Sequence, residues 1–199
     1  MTHINMNLEA ISEAAKQFPW EDKASYARFL AQTYYYVRHS TRLLALAAGV
    51  IALDDKKSFD RYIKHISEER NHEQLARLDL THMGYDLDQM PELSATRLLW
   101  EPQYYKVMHC SPMALLGYIL PLEALAAQEG GNVVKLIEQA HGSKCLHFLK
   151  LHGEEDIKHV QDAIRLADTL PAHERVLVEQ NIDQTIHAYV RWLSEISAI

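Results

Sequence analysis

The chain predicts an all-α fold, a helical bundle of about seven or eight helices forming one domain over residues 1–199. Three observations carry that expectation. Only seven glycines and six prolines punctuate the 199 residues, so the uninterrupted segments are long. Those segments are rich in Ala, Leu, Glu, Gln and Arg, and their apolar positions recur at three- and four-residue spacing, the period of one helix face. No stretch shows the two-residue alternation of a half-buried strand, and no internal repeat runs through the chain. With 48% apolar and 24% charged residues the sequence has the composition of a globular protein able to bury a sizeable core.

A short first helix is expected over residues 8–17, ended by Phe18-Pro19. A long second helix should run over residues 21–53, with Tyr26, Phe29, Leu30, Thr33, Tyr34 and Val37 as its apolar stripe and Asp54-Asp55 closing it. The third is expected over residues 58–83 and should stop at Gly84, a glycine well suited to a helix C-terminus. Residues 86–92 read as a loop containing Pro91. Ser94 is placed to cap the next helix, which carries Leu98, Leu99, Tyr104, Tyr105 and Met108 and is disturbed at Pro102. Ser111-Pro112 opens another, serine as cap and proline in the first turn. That helix should reach about residue 128, kinked at Pro121, and Gly130-Gly131 should break it from a short helix over residues 132–140. Gly142-Ser143 restarts the chain into a helix that includes residues 151–166, and Pro171 separates a last helix ending near Ser197.

Charge and cysteine usage exclude several functions. A formal net charge of -7 without a basic patch argues against nucleic acid or an anionic membrane as partner, because both demand a positive surface. Cys110 and Cys145 match no zinc spacing and can form at most one bridge, so a reduced, cytoplasmic setting is expected. Residues 1–17 lack the basic stretch and apolar core of a secretory leader and carry Glu9 and Glu13 instead. The most apolar run, residues 43–53, is far shorter than the roughly twenty residues that span a bilayer and reads as a buried helix.

Three sets of polar residues stand out from the helical pattern. His152, Asp156 and His159 are spaced His-x3-Asp-x2-His, which stacks two imidazoles and a carboxylate on one helix face. Such a stripe can supply two nitrogens and an oxygen to a transition metal such as iron or zinc, although Glu154, Glu155, Lys158 and Asp162 around it equally fit a solvated face. In the third helix, His65, Glu68, Glu69 and His72 fall within two turns, and Glu69-x-x-His72 has the carboxylate–histidine spacing of di-iron bundles. The interleaved Arg70, Asn71 and Glu73 allow a charged outer face there as well. Glu123 is the one carboxylate in the run of residues 115–127, and a buried carboxylate is costly unless it is paired or bound to a metal. Its partner could be an arginine such as Arg42 or Arg97, or a metal held with the two histidine-bearing helices.

In this order the three sets resemble the heme-oxygenase-like di-metal oxidase superfamily, related in fold to thiaminase II and to pyrroloquinoline-quinone synthase. Its members carry Glu-x6-His on one core helix, a lone Glu on a later one and His-x3-Asp-x2-His on the penultimate one. Here His152, Asp156 and His159 complete the last motif, Glu123 follows Gly117-Tyr118 in the lone-Glu place, and His72 fits the first histidine. The departure is His65, which stands where the family has Glu. Either His65 is a nitrogen ligand, or Glu68 or Glu69 takes over, or the first metal position is weakened.

The resemblance implies a non-haem iron oxidoreductase. It implies two irons, or one if the first position is weak, and dioxygen as co-substrate for oxidising or cleaving a small organic molecule in a helical cavity. Tyr34, Tyr35, Tyr36, His39 and Tyr118 are candidates to line that cavity. The alternative is a thiaminase-II-like small-molecule-binding protein or non-redox enzyme without a functional di-iron site. That relative uses a cysteine about one turn before the tyrosine aligned with Tyr118, where this chain reads Met113-Ala114-Leu115. Apolar helical surfaces would make a homodimer unsurprising.

Overall fold

The computed structural model describes residues 4–198, with the side chains of residues 154–158 outside the description. Among the described residues there are nine α-helices and no strand: α1 (Glu9–Gln17), α2 (Lys23–Val37), α3 (Ser40–Val50), α4 (Lys56–Glu68), α5 (His72–His82), α6 (Ser94–His109), α7 (Leu116–His141), α8 (His147–Ala167) and α9 (Ala172–Ala198). No helix of the described residues is long and apolar enough to cross a membrane. The all-α expectation holds, and three differences in helix boundaries account for the count of nine.

The expected second helix is two helices. Its continuity breaks at Arg38 and His39, where tertiary contacts override a helix-compatible sequence: Arg38 pairs with Glu92, and the His39 ring stacks on Trp100 of α6 at 3.7 Å. The Arg42 guanidinium donates to the Arg38 carbonyl and satisfies one group freed by the break. The expected third helix is also two, because Asn71 adopts a left-handed φ of 69° between α4 and α5. Asparagine tolerates that conformation better than most residues. Conversely, α7 runs through Gly130-Gly131 without a break. Gly130 there faces Gly153 of α8, whose Cα would lie 3.6 Å from a Cβ at that position, an ordinary contact.

Caps fix the starts of α2 and α4, where the side chains of Asp22 and Asp55 accept from the backbone N–H groups of Ser25 and Ser58. Ser111 caps the short turn Pro112–Leu115 as expected, whereas Ser94 is the first residue of α6 and caps nothing. The expected stop at Gly84 holds, with φ 83° just after α5. Long α7 packs along α8 and α9 through the middle of the molecule, and Trp192 of α9 is completely buried against Phe29 and Tyr36 of α2. Gly117 lets α7 and α9 meet, since a Cβ there would lie 2.3 Å from the Val178 carbonyl oxygen. The helices α4, α5, α7 and α8 thereby converge on one buried polar centre.

Candidate metal centre

Four helices each bring part of the centre. The last turn of α4 delivers His65 and Glu68, and the residue after it is Glu69. The left-handed Asn71 then turns the chain so that His72 starts α5. Glu123 projects from α7, and α8 supplies His152 and His159, seven residues apart on one face. His65, Glu69, His72, Glu123 and His159 are all buried.

These residues form two adjoining groups. His65, Glu69, Glu123 and His159 each present a ligand atom within 4.8 Å of the others, and Glu69, His72 and His152 do the same. Glu69 belongs to both. Its Oε1 lies 3.3 Å from His65 Nε2, while its Oε2 lies 3.5 Å from His72 Nδ1. Glu123 Oε1 is 3.1 Å from His65 Nε2 and 3.6 Å from His159 Nδ1. Glu68 stands at the edge, 3.4 Å from His159 Nε2, and is itself paired with Lys64. Neither Arg42 nor Arg97 serves Glu123; Arg97 pairs with Glu101 on the surface.

The stripe of α8 is thus divided, with His159 in the first group and His152 in the second. Asp156, between them in sequence, has its side chain outside the described residues. His65 sits within the first group alongside both Glu69 and Glu123.

Short distances here are not good hydrogen bonds. Among the described residues, no aligned partner meets the buried ring nitrogens of His65, the two oxygens of Glu123 or Oε2 of Glu68. Native proteins rarely leave such groups in that state, because each costs its desolvation without recovering a bond. Converging lone pairs of imidazole and carboxylate are the donor set that suits iron, so the residues present fit such an ion.

Electrostatics couple the same side chains to one another. Burial would depress the His65 imidazole, but the carboxylates of Glu123 and Glu69 overcome it and raise it to about 9. Burial would raise Glu69, yet His65 and His72 beside it hold its carboxyl well below the usual range. The Nδ1–H of His152 donates to the Phe148 carbonyl at 2.9 Å, which fixes its tautomer and leaves Nε2 as the basic nitrogen.

A mostly apolar cavity of about 140 Å³ adjoins the centre, with His65, Glu69, Glu123 and His152 in its wall. Tyr118 lines it as well, and burial keeps the Tyr118 hydroxyl protonated far above its ordinary range. The sequence did not single out Trp20, Glu129 or Tyr189, which complete other parts of the wall from distant points of the chain. Glu129 was the one with a signal, a second acid one and a half turns beyond Glu123 in a mostly apolar helix. Among the described lining residues there is neither Tyr35 nor His39. Tyr35 packs under the Arg38 guanidinium, and His39 Nδ1 meets the Tyr104 hydroxyl at 3.0 Å. No cysteine lines the cavity among the described residues; Cys145 is buried with its Sγ near the Gly142 carbonyl, and Cys110 is exposed.

A third group, Asp79, His82 and His147, lies at the start of α8. Asp79 is fully buried and accepts from the backbone N–H groups of His147 and Phe148 and from His147 Nδ1. It caps α8 from α5.

A family model described as an iron-containing redox enzyme matches residues 27–190. No curated protein matches the chain. Among solved structures it is similar to a domain of unknown function with a heme oxygenase-like fold from Shewanella denitrificans, at 21% identity and a TM-score of 0.83, over 95% of this chain and 88% of that one. A TenA homolog from Pseudomonas syringae superposes with a TM-score of 0.80 at 11% identity, over 96% of this chain and 88% of the other. A CADD-like protein of unknown function from Nostoc punctiforme gives 0.71 at 18% identity, over 100% and 91%. At such identities the likeness is one of fold, and the fold is heme-oxygenase-like.

Proposed function

The chain belongs to the family of iron-containing redox enzymes, and on that premise we propose that it is a non-haem iron oxidoreductase that uses dioxygen to oxidise or cleave a small organic molecule. His65, Glu69, Glu123 and His159 would hold one ion and Glu69, His72 and His152 a second; Asp156, with its side chain outside the described residues, is the remaining ligand expected from the sequence. Ferrous ions held there would supply one-electron chemistry and the binding and reduction of dioxygen.

The observation that carries this reading is the placement of Glu69, whose two carboxylate oxygens face two different histidine groups in the wall of an apolar cavity. The chain's own residues do the rest. Leu115, Leu122 and Leu125 border the cavity and give that wall its apolar character. The Tyr118 hydroxyl, held protonated, can donate to a bound molecule next to Glu69. The His152 tautomer is set in advance by Phe148.

Replacing the family's usual glutamate by His65 leaves the first group with two carboxylates, Glu69 and Glu123. That offsets one divalent ion; the second group shares Glu69 and has no other carboxylate among the described residues, so the iron count is what the test reads. The test is anaerobic addition of ferrous iron followed by metal analysis and a single exposure to dioxygen. Two irons per chain and rapid oxygen uptake are expected. An intact protein that binds no iron would sink the reading.

A further inference from the structure

Beyond the metal-facing wall, the cavity has a second polar feature. Glu129 is one of its lining residues and is only 5% exposed. It follows Glu123 by six residues on α7, about 9 Å along the helix axis. Its three donors, Ser12 Oγ, Gln128 Nε2 at 3.2 Å and Lys16 Nζ at 3.3 Å, all fall on Oε1. Among the described residues no donor meets Oε2. The Ser12 hydroxyl, against the burial that would raise it, and Lys16 hold the carboxyl below its ordinary range, so it is ionised at neutral pH. Among the described lining residues there is no lysine or arginine.

We propose that Glu129 is a recognition residue for a primary amine, and that the cavity takes a small molecule with an apolar body whose amine end rests on Glu129 Oε2 while its other end reaches the histidine–carboxylate centre. An ionised carboxylate in an apolar wall, with one oxygen that accepts from no described residue, is best met by a charged donor. Lys16, 55% exposed, faces solvent and leaves that oxygen to the ligand. An anionic tail at this end would meet Glu129 with no lining cation to offset it. Size sets a further limit, since a cavity of about 140 Å³ matches the roughly 150 Å³ that holds a single benzene in an engineered apolar case, so the ligand is small.

The assignment rests on reading the cavity as the substrate site, but its test does not depend on iron. Calorimetric titration of the protein, as isolated and again after chelation, would compare heptylamine, heptanol and heptanoate. Heptylamine should bind about tenfold more tightly than heptanol in both preparations, the scale of one charge-assisted hydrogen bond, and heptanoate most weakly. Glu129→Gln should bring amine and alcohol to equal affinity. Lys16→Met, at a half-exposed position that leaves the fold intact, should strengthen amine binding alone. Equal binding of amine and alcohol by the unaltered protein, or no binding of any of the three, overturns the assignment. So does an amine preference that vanishes on chelation and ignores Glu129→Gln, because that pattern puts the amine on the metal. A failure of the iron reading alone would show as absent iron with the amine preference intact.

Discussion

Glu69 belongs to both histidine groups, and under the proposed iron reading that gives it a different expected phenotype from its neighbours. His65→Ala and His72→Ala each remove a ligand from one group and should leave about one iron per chain, whereas Glu69→Ala touches both groups and should leave close to none. Metal analysis after anaerobic loading checks this, and two irons retained by Glu69→Ala would break the shared-carboxylate assignment. A second residue-scale effect lies away from the centre. Burial against Trp100, with Arg38 and Arg42 nearby, lowers the His39 imidazole to about 4. The unfolded chain therefore takes up that proton first as pH falls, so the contribution of neutral His39 is complete above about pH 6.5 and is lost progressively toward about pH 4. His39→Phe keeps the stack and removes the titration. Urea midpoints across that range should fall less for the variant than for the unaltered protein. That these side chains would gather was legible in sequence, because His65, Glu69, His72, Glu123, His152 and His159 are polar residues at helical spacing. Division of the α8 stripe between two groups was not legible, since it depends on how α4, α5 and α7 sit against it.

At the scale of helices, the centre is held by how closely α7 approaches its neighbours. Gly117 faces the backbone of α9, and a methyl group there would overlap the Val178 carbonyl, the Asn181 Cβ and the Ile182 amide nitrogen. Backbone cannot swing aside as a flexible side chain does. Gly117→Ala should therefore cost about 1–3 kcal/mol of stability, read by denaturant unfolding, and by shifting α7 should weaken iron binding at Glu123 too. Asp79 makes the corresponding link between α5 and α8. Its removal leaves two backbone N–H groups and the His147 ring without their buried acceptor, so Asp79→Ala should cost about 3 kcal/mol or more, and a loss under about 1 kcal/mol would show that the cap is dispensable. Helix existence was readable from apolar period and breakers, but continuity was not. The break at Arg38-His39 answers to Trp100 and Glu92, more than fifty residues away, and no local propensity encodes it. Asn71 did carry a local signal, being a residue at ease with positive φ in the middle of the expected third helix. Gly130-Gly131 gave the opposite error: α7 passes through both glycines, Gly130 at ordinary contact distance from Gly153 of α8 and Gly131 beside open space, so the pair acts as no stop.

For the molecule as a whole, the centre ties together four helices that come from separate parts of the chain. The metal-free state carries buried carboxylates and imidazoles whose contacts are poorly aligned, and an ion that binds the native state but not the unfolded chain adds stability by mass action. At free ferrous iron about a hundredfold above the dissociation constant, one site contributes about 2.7 kcal/mol. In a chain of this size that corresponds to a rise in Tm of roughly 5–10 °C. The rise should disappear on chelation and should be absent in Glu69→Ala. Protons compete for the same ligands. His65, raised to about 9 by Glu123 and Glu69 against its burial, is protonated in the metal-free protein at neutral pH and must lose that proton to bind. Each unit of pH below about 9 should accordingly weaken ferrous binding about tenfold through this residue alone. The iron-induced Tm shift at fixed iron should therefore shrink steadily from about pH 7.5 to about pH 6, and a shift independent of pH over that interval would remove His65 from the ligand set.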